Sequence, residues 1–74
     1  MRFFTVNNYS NIGDGSEELI YESESTQVPQ IDSSVFFEDT GLEWYRVVDV
    51  QYVYNKEILE SVDVMMIVHR PNDD

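Results

Sequence analysis

Between Glu43 and Tyr54 the chain reads EWYRVVDVQYVY, twelve residues rich in β-branched and aromatic side chains. Successive side chains on a strand point to opposite faces, so a strand sorts its residues with period two. Trp44, Arg46, Val48, Val50, Tyr52 and Tyr54 fall on one face, and Tyr45, Val47, Asp49, Gln51 and Val53 on the other. Apolar residues on both faces predict a strand that is central, bent, or shared between a core and an interface. Val62 to Arg70 reads as its hairpin partner. Val62, Val64, Met66 and Val68 form one stripe, with Asp63, Met65, Ile67 and His69 opposite.

The same period organises the rest. Arg2 to Tyr9 (RFFTVNNY) is rich in β-formers. Asn11 to Ser16 (NIGDGS) carries turn chemistry, with glycines able to take positive φ. Glu18 to Glu24 reads as a return strand, with Leu19 and Tyr21 facing one way and Ile20, Glu22 and Glu24 the other. Residues 25–33 are polar and contain Pro29, which cannot donate to a ladder, so a loop is expected there, with Val28 and Ile31 pinning it to the core. Ser34 to Glu38 is a short strand and Asp39-Thr40-Gly41 a turn. Asn55 to Ser61 is assigned a turn or a short 3₁₀ piece, and 71–74 a frayed acidic tail after Pro71. The expectation is a single all-β domain over 1–74, with four to five antiparallel strands in a twisted sheet or small barrel, short turns and little or no helix.

Charge bears on function. Fifteen acidic residues face four basic ones among 74, a formal charge of −11. Disorder goes with high net charge and low hydrophobicity together. This chain is 42% hydrophobic and 14% aromatic, so the reading is a folded domain with an anionic surface, whose natural partner is cationic. A domain this small is marginal alone. With no cysteine and one histidine, neither disulfides nor a thiolate metal site can support it, which leaves a homodimer as the expected support. Seam candidates are Trp44, Tyr45, Tyr52, Tyr54, Val62, Val64 and Met66. The lack of cysteine suits a reducing cytoplasm. The segment MRFFTVNNYS does not read as a signal peptide, and no apolar run has the length of a membrane helix.

The carboxylates fall in two windows. Asp14, Glu17, Glu18, Glu22 and Glu24 lie together without a base, and Asp32, Glu38, Asp39 and Glu43 surround the middle hairpin. On a strand Glu18, Glu22 and Glu24 share a parity, and same-face residues recur at about 6.7 Å, a scale comparable with phosphates along nucleic acid. The bland alternative is a solvated face serving solubility. The run DGSEE lacks the alternating ligands, the sixth-position glycine and the terminal Glu of an EF-hand loop. No nucleophile–base–orienter set involves His69, so no enzyme and no cofactor are expected. The aromatics could stack nucleobases, but at −11 the electrostatic term opposes direct nucleic-acid binding and favours a core or seam role.

In size, acidity, lack of cysteine and strand content, with GLEWYRVVDVQYVY at 41–54 and VDVMMIVHR at 62–70, the chain resembles small bacteriophage host-takeover inhibitors that mimic DNA. The resemblance implies a partner among basic DNA-binding proteins of the host, a nucleoid protein such as the histone-like HU or another DNA-processing protein. It implies no membrane partner. On this expectation the contact residues are Glu17, Glu18, Glu22, Glu24, Asp32, Glu38, Asp39 and Glu43. The alternatives are a small acidic assembly accessory that pairs through a sheet edge, and an antidote that masks a toxin.

Overall fold

The computed structural model describes residues 1–7, 12, 15–25, 27–39 and 43–69. Tyr9, the turn residues Asn11, Gly13, Asp14, Thr40 and Gly41, Arg70 and the acidic tail 71–74 lie outside the described residues. Five strands run in chain order: β1 Arg2–Thr5, β2 Glu18–Glu22, β3 Ser34–Phe36, β4 Trp44–Asn55 and β5 Ile58–Val68. They form one sheet in the order β2-β1-β5-β4-β3, curled into a half-barrel, with no helix among the described residues. None is present there, therefore, that could cross a membrane.

The all-β architecture is as the alternation predicts, with one correction. β1 runs parallel to β5, so the sheet is mixed and not purely antiparallel. The other three pairings are antiparallel. β5 is the middle strand, flanked on both sides, which explains its near-continuous burial at Asp63, Val64, Met65 and Met66.

Three register shifts rearrange the faces. On β4, Val47 pairs with Met66 and Asp49 with Met65, leaving Val48 as an extra residue. A bulge of this kind reverses the parity that follows it. Tyr45 and Val47 therefore share the concave face with Val50 and Tyr52, and Trp44 and Arg46 share the convex face with Asp49 and Gln51. That is why β4 is apolar on both sides of its sequence pattern. On β2, Tyr21 pairs with Phe3 and Leu19 with Phe4, so Ile20 is extra. On β5, Ser61 pairs with Val53 and Leu59 with Tyr54, so Glu60 is extra.

The concave face holds the core. Phe3, Phe37, Val47, Val64 and Met66 are buried together, with Ile20, Tyr21, Val35, Tyr45 and Val50 packed against them. The ring of Phe37, just past β3, lies 5.2 Å from that of Phe3 and 4.7 Å from that of Tyr21 on β2. These contacts join the two edges of the sheet and close the half-barrel across its open side. Ile31 does not help to pin the loop before β3, since it is 55% exposed, whereas Val28 is half-buried. That loop is tied instead by backbone bonds from the Asp32 N–H to the Val47 carbonyl and from the Val47 N–H to the Ser33 carbonyl.

β5 begins at Ile58, not Val62, because the turn is only Lys56-Glu57. Both take positive φ, 51° and 72°, as a two-residue type I′ hairpin requires. No short helical piece exists over 55–61. β3 covers β4 only over Trp44–Arg46, and β1 covers β5 only over Asp63–Met66. The rest of the hairpin projects as a two-stranded ribbon, drawing the molecule out to 44 × 26 × 18 Å.

Candidate anionic binding surface

The strand order puts the two acidic windows at opposite edges. Glu18 and Glu22 begin and end β2, while Asp32, Glu38 and Asp39 flank β3. Curling brings part of these windows together. Burial pushes the Tyr45 phenol above its ordinary pKa, and the charges of Glu43 and Glu18 push it further in the same direction. One phenol therefore feels a carboxylate from each window.

The bulge at Ile20 divides the first window. Glu18 pairs with Thr5, whose neighbour on β5 is the core residue Met66, so Glu18 belongs to the concave side with Tyr45. Glu22 pairs with Arg2, whose neighbour is Asp63, so it belongs to the convex side. The single-face alignment of Glu18, Glu22 and Glu24 expected from parity does not hold. Glu24 and Glu22 instead share the walls of a cavity of about 480 Å³ with Glu60, beside Arg2. Glu60 falls in Asn55–Ser61, where the sequence predicts a turn. A hairpin closed by Lys-Glu carries no glycine signal, so this carboxylate was missed.

The remaining expected contacts vary in accessibility. Glu18, Glu22, Glu24, Asp32, Glu38 and Asp39 are exposed, and Glu17 and Glu43 are half-buried. Both of these last two interact with other groups of the chain, and so are not freely available carboxylates. Asp32 takes φ of 73°, a conformation its short polar side chain tolerates.

Neutralisation within the chain is small. Arg2 grips the buried Asp63 through Nε and Nη2, both at 2.8 Å, which holds the guanidinium pKa above its usual value. Arg2 also lies 5.4 Å from the Phe4 ring centre. Arg46 Nη2 lies 3.1 Å from His69 Nδ1, so the only histidine faces a cation at the end of the sheet. Lys56 stands at the tip of the ribbon. Among the described residues no three histidine, aspartate or glutamate side chains converge as metal ligands.

The seam candidates divide by burial. Val64 and Met66 are 0% exposed inside the core and have no surface to present to another protomer. Trp44, Tyr52 and Tyr54 are exposed, while Tyr45 and Val62 are half-buried. Trp44 stacks on Phe36 with ring centres 5.1 Å apart. The exposed apolar group that sequence reasoning left out is at the ribbon tip, where Ile58 is 70% and Leu59 46% exposed. Comparison with protein-family models, with curated proteins and with solved structures returns no match, so the reading of this surface rests on its own geometry.

Proposed function

We propose that this protein is a DNA-mimicking inhibitor that occupies the basic DNA-binding surface of another protein and displaces DNA from it. A single observation carries the reading. The rings of Tyr21 and Phe37, 4.7 Å apart, join the β2 edge, which begins at exposed Glu18, to the edge beyond β3, and so bring carboxylates of both windows to one seam. Exposed Glu38 and Asp39 follow Phe37 at that seam. The excess charge thus has a focus, and it sits on a scaffold held by packed aromatics. Such a surface steers a cationic partner and binds it through charge-assisted hydrogen bonds to lysine and arginine. A nucleoid protein such as HU, met in the cytoplasm, is the partner the resemblance implies. The chain itself binds no DNA on this reading, because its charge repels phosphate.

The test is a competition gel shift with a basic DNA-binding protein and its DNA, in a salt series. Wild type releases DNA at low salt. It loses that ability steeply as the Debye length shrinks from about 10 Å at 0.1 M to about 3 Å at 1 M. The combined variant Glu18→Lys, Glu38→Lys, Asp39→Lys releases far less. A wild type that never releases DNA sinks the proposal.

A second reading, an assembly accessory pairing with its own copies, is favoured by the projecting ribbon. Among the described residues both its edges lack a neighbouring strand, and it exposes Tyr52, Tyr54 and Ile58. Unpaired edges of this kind template intermolecular pairing. Sedimentation equilibrium tests it, since edge pairing makes the mass rise with concentration, without levelling at a dimer, and survive high salt.

A further inference from the structure

At the root of the ribbon a second cavity, of about 360 Å³, adjoins the acidic one. The two share Glu24 and Glu60 in their walls. The second is floored by Val28, Tyr52, Leu59 and Val62. Register places Tyr52 opposite Val62 and Tyr54 opposite Leu59, so the bulge at Glu60 keeps Leu59 and Val62 on the Tyr52 side. The opposite wall is the segment leaving β2. It is fixed by two serine-based turns, with the Ser25 N–H donating to Ser23 Oγ at 3.0 Å and the Gln27 N–H to Ser25 Oγ at 3.1 Å. These turns carry the chain past Glu24 to Val28. The Asn55 side-chain amide donates to Glu60 Oε1 at 3.1 Å, which holds that carboxylate against the ribbon. Two cations stand nearby: the Met1 α-ammonium, which lines both cavities and donates to the Ser23 carbonyl at 2.8 Å, and Arg2, which lines the acidic cavity and is engaged bidentately by Asp63.

We infer that this notch receives a lysine or arginine side chain of the basic partner. Such a side chain has an apolar stem and a cationic head. The stem matches Tyr52, Leu59, Val62 and Val28. The head matches Glu24 and Glu60, with Glu22 beyond them in the adjoining cavity. Charge complementarity selects this occupant over an apolar segment, because the two carboxylates of the notch, with Glu22 beyond them, outnumber the Met1 ammonium in its walls. It also selects it over a second copy of the chain, which brings a net charge of −11 to the same place. The notch lies apart from the seam at Glu18, Glu38 and Asp39. It would therefore give the partner a second, shape-selective contact where the seam offers charge alone. The inference rests on the basic-partner reading and adds to it a preference for long cationic side chains.

The probes are blocked pentapeptides, acetyl-Gly-Gly-X-Gly-Gly-amide, with X lysine, norleucine or 2,3-diaminopropionic acid. Norleucine keeps the stem without the charge, and diaminopropionic acid keeps the charge on a short stem provided the titration is run at about pH 5, where its amine is protonated and glutamates remain mostly ionised. Binding is followed by amide chemical shifts of the ¹⁵N-labelled protein. The lysine peptide shifts Glu24, Ser25, Glu60 and Ser61 most. It binds about five- to tenfold more tightly than the diaminopropionic acid peptide, as expected when part of a stem of three extra methylenes is buried, and more tightly than the norleucine peptide, which brings no charge to the carboxylates. Glu24→Gln with Glu60→Gln abolishes the advantage over norleucine, and Leu59→Ser abolishes the advantage over diaminopropionic acid. Equal binding of lysine and diaminopropionic acid, or shifts spread over all carboxylates, overturns the notch. So does a Leu59→Ser variant that changes only self-association, which would mark the notch as a seam between copies. The gel shift keeps the two proposals apart. DNA release by wild type without a stem preference leaves the basic-partner reading standing and the notch refuted. A stem preference without DNA release does the reverse.

Discussion

Replacing Lys56-Glu57 by Asn-Gly should raise the thermal midpoint of this protein. The two residues form the whole connection between Asn55 and Ile58, at φ of 51° and 72°. A residue with a Cβ in the left-handed region costs roughly 1–2 kcal/mol. Glycine at position 57 removes that cost but is less favourable through its looser unfolded state by roughly 0.5–1 kcal/mol. Asparagine at position 56 recovers part of the other cost, because its side chain tolerates the left-handed region. The net gain is about 1 kcal/mol, which in a domain of this size moves the midpoint by about 4–8 °C. The substitution removes one cation and one carboxylate together, so the net charge stays at −11 and the shift reports the turn. Calorimetry of the single and double variants measures the shift. Circular dichroism in the near ultraviolet checks that the tyrosines of the ribbon melt with the rest. An unchanged or lowered midpoint would refute the reasoning. So would a ribbon that melts ahead of the sheet, because a turn can stabilise the whole domain only if it opens with the whole domain.

Met66→Ala should cost about 2–5 kcal/mol, because Met66 is fully buried at the centre of the core. A 74-residue domain has about 4–11 kcal/mol in all, so urea unfolding should find the variant near the limit of folding, and a loss below about 1 kcal/mol would contradict the packing described. Stability should also fall at alkaline pH through Tyr45. Its folded pKa is raised, so the folded state keeps the phenol proton where the unfolded state has lost it. The contribution is fully present below about pH 10, the unfolded value, and disappears as pH rises through the higher folded value. Urea unfolding on either side of about pH 10 should show a shallower alkaline decline in Tyr45→Phe than in wild type.

The strands of this protein were legible because alternation is a local signal, and β4 and β5 carry it over long runs. The bulges were not. Nothing in VVDV distinguishes Val48 as the residue to be left out of register, and nothing in ELIYE marks Ile20. Each bulge reverses the faces beyond it, so residues grouped by parity were separated in space. That is how Glu18 came to lie apart from Glu22 and Glu24. Strand order was likewise hidden, since period two says which face a residue occupies but not which strand lies beside it. The anionic character of the surface was plain in the composition. Its focus depends on the closure made by Tyr21 and Phe37, a long-range contact. The notch depends on Glu60 and on a turn without glycine.

The parallel pairing of β1 with β5 has a kinetic consequence. It matches Arg2 with Asp63 across 61 positions of sequence, whereas the β4–β5 hairpin is closed by two residues. The hairpin can form within its own segment, and the first strand must wait for the last. During synthesis the strands RFFT and ELIYE can pair with each other, but neither joins the rest of the sheet until β5 has left the ribosome. Contacts of such separation slow folding and prolong the exposure of unpaired strand. Dense negative charge on the segments that follow keeps waiting chains apart, so the same carboxylates that shape the mature surface would guard the chain before it has one.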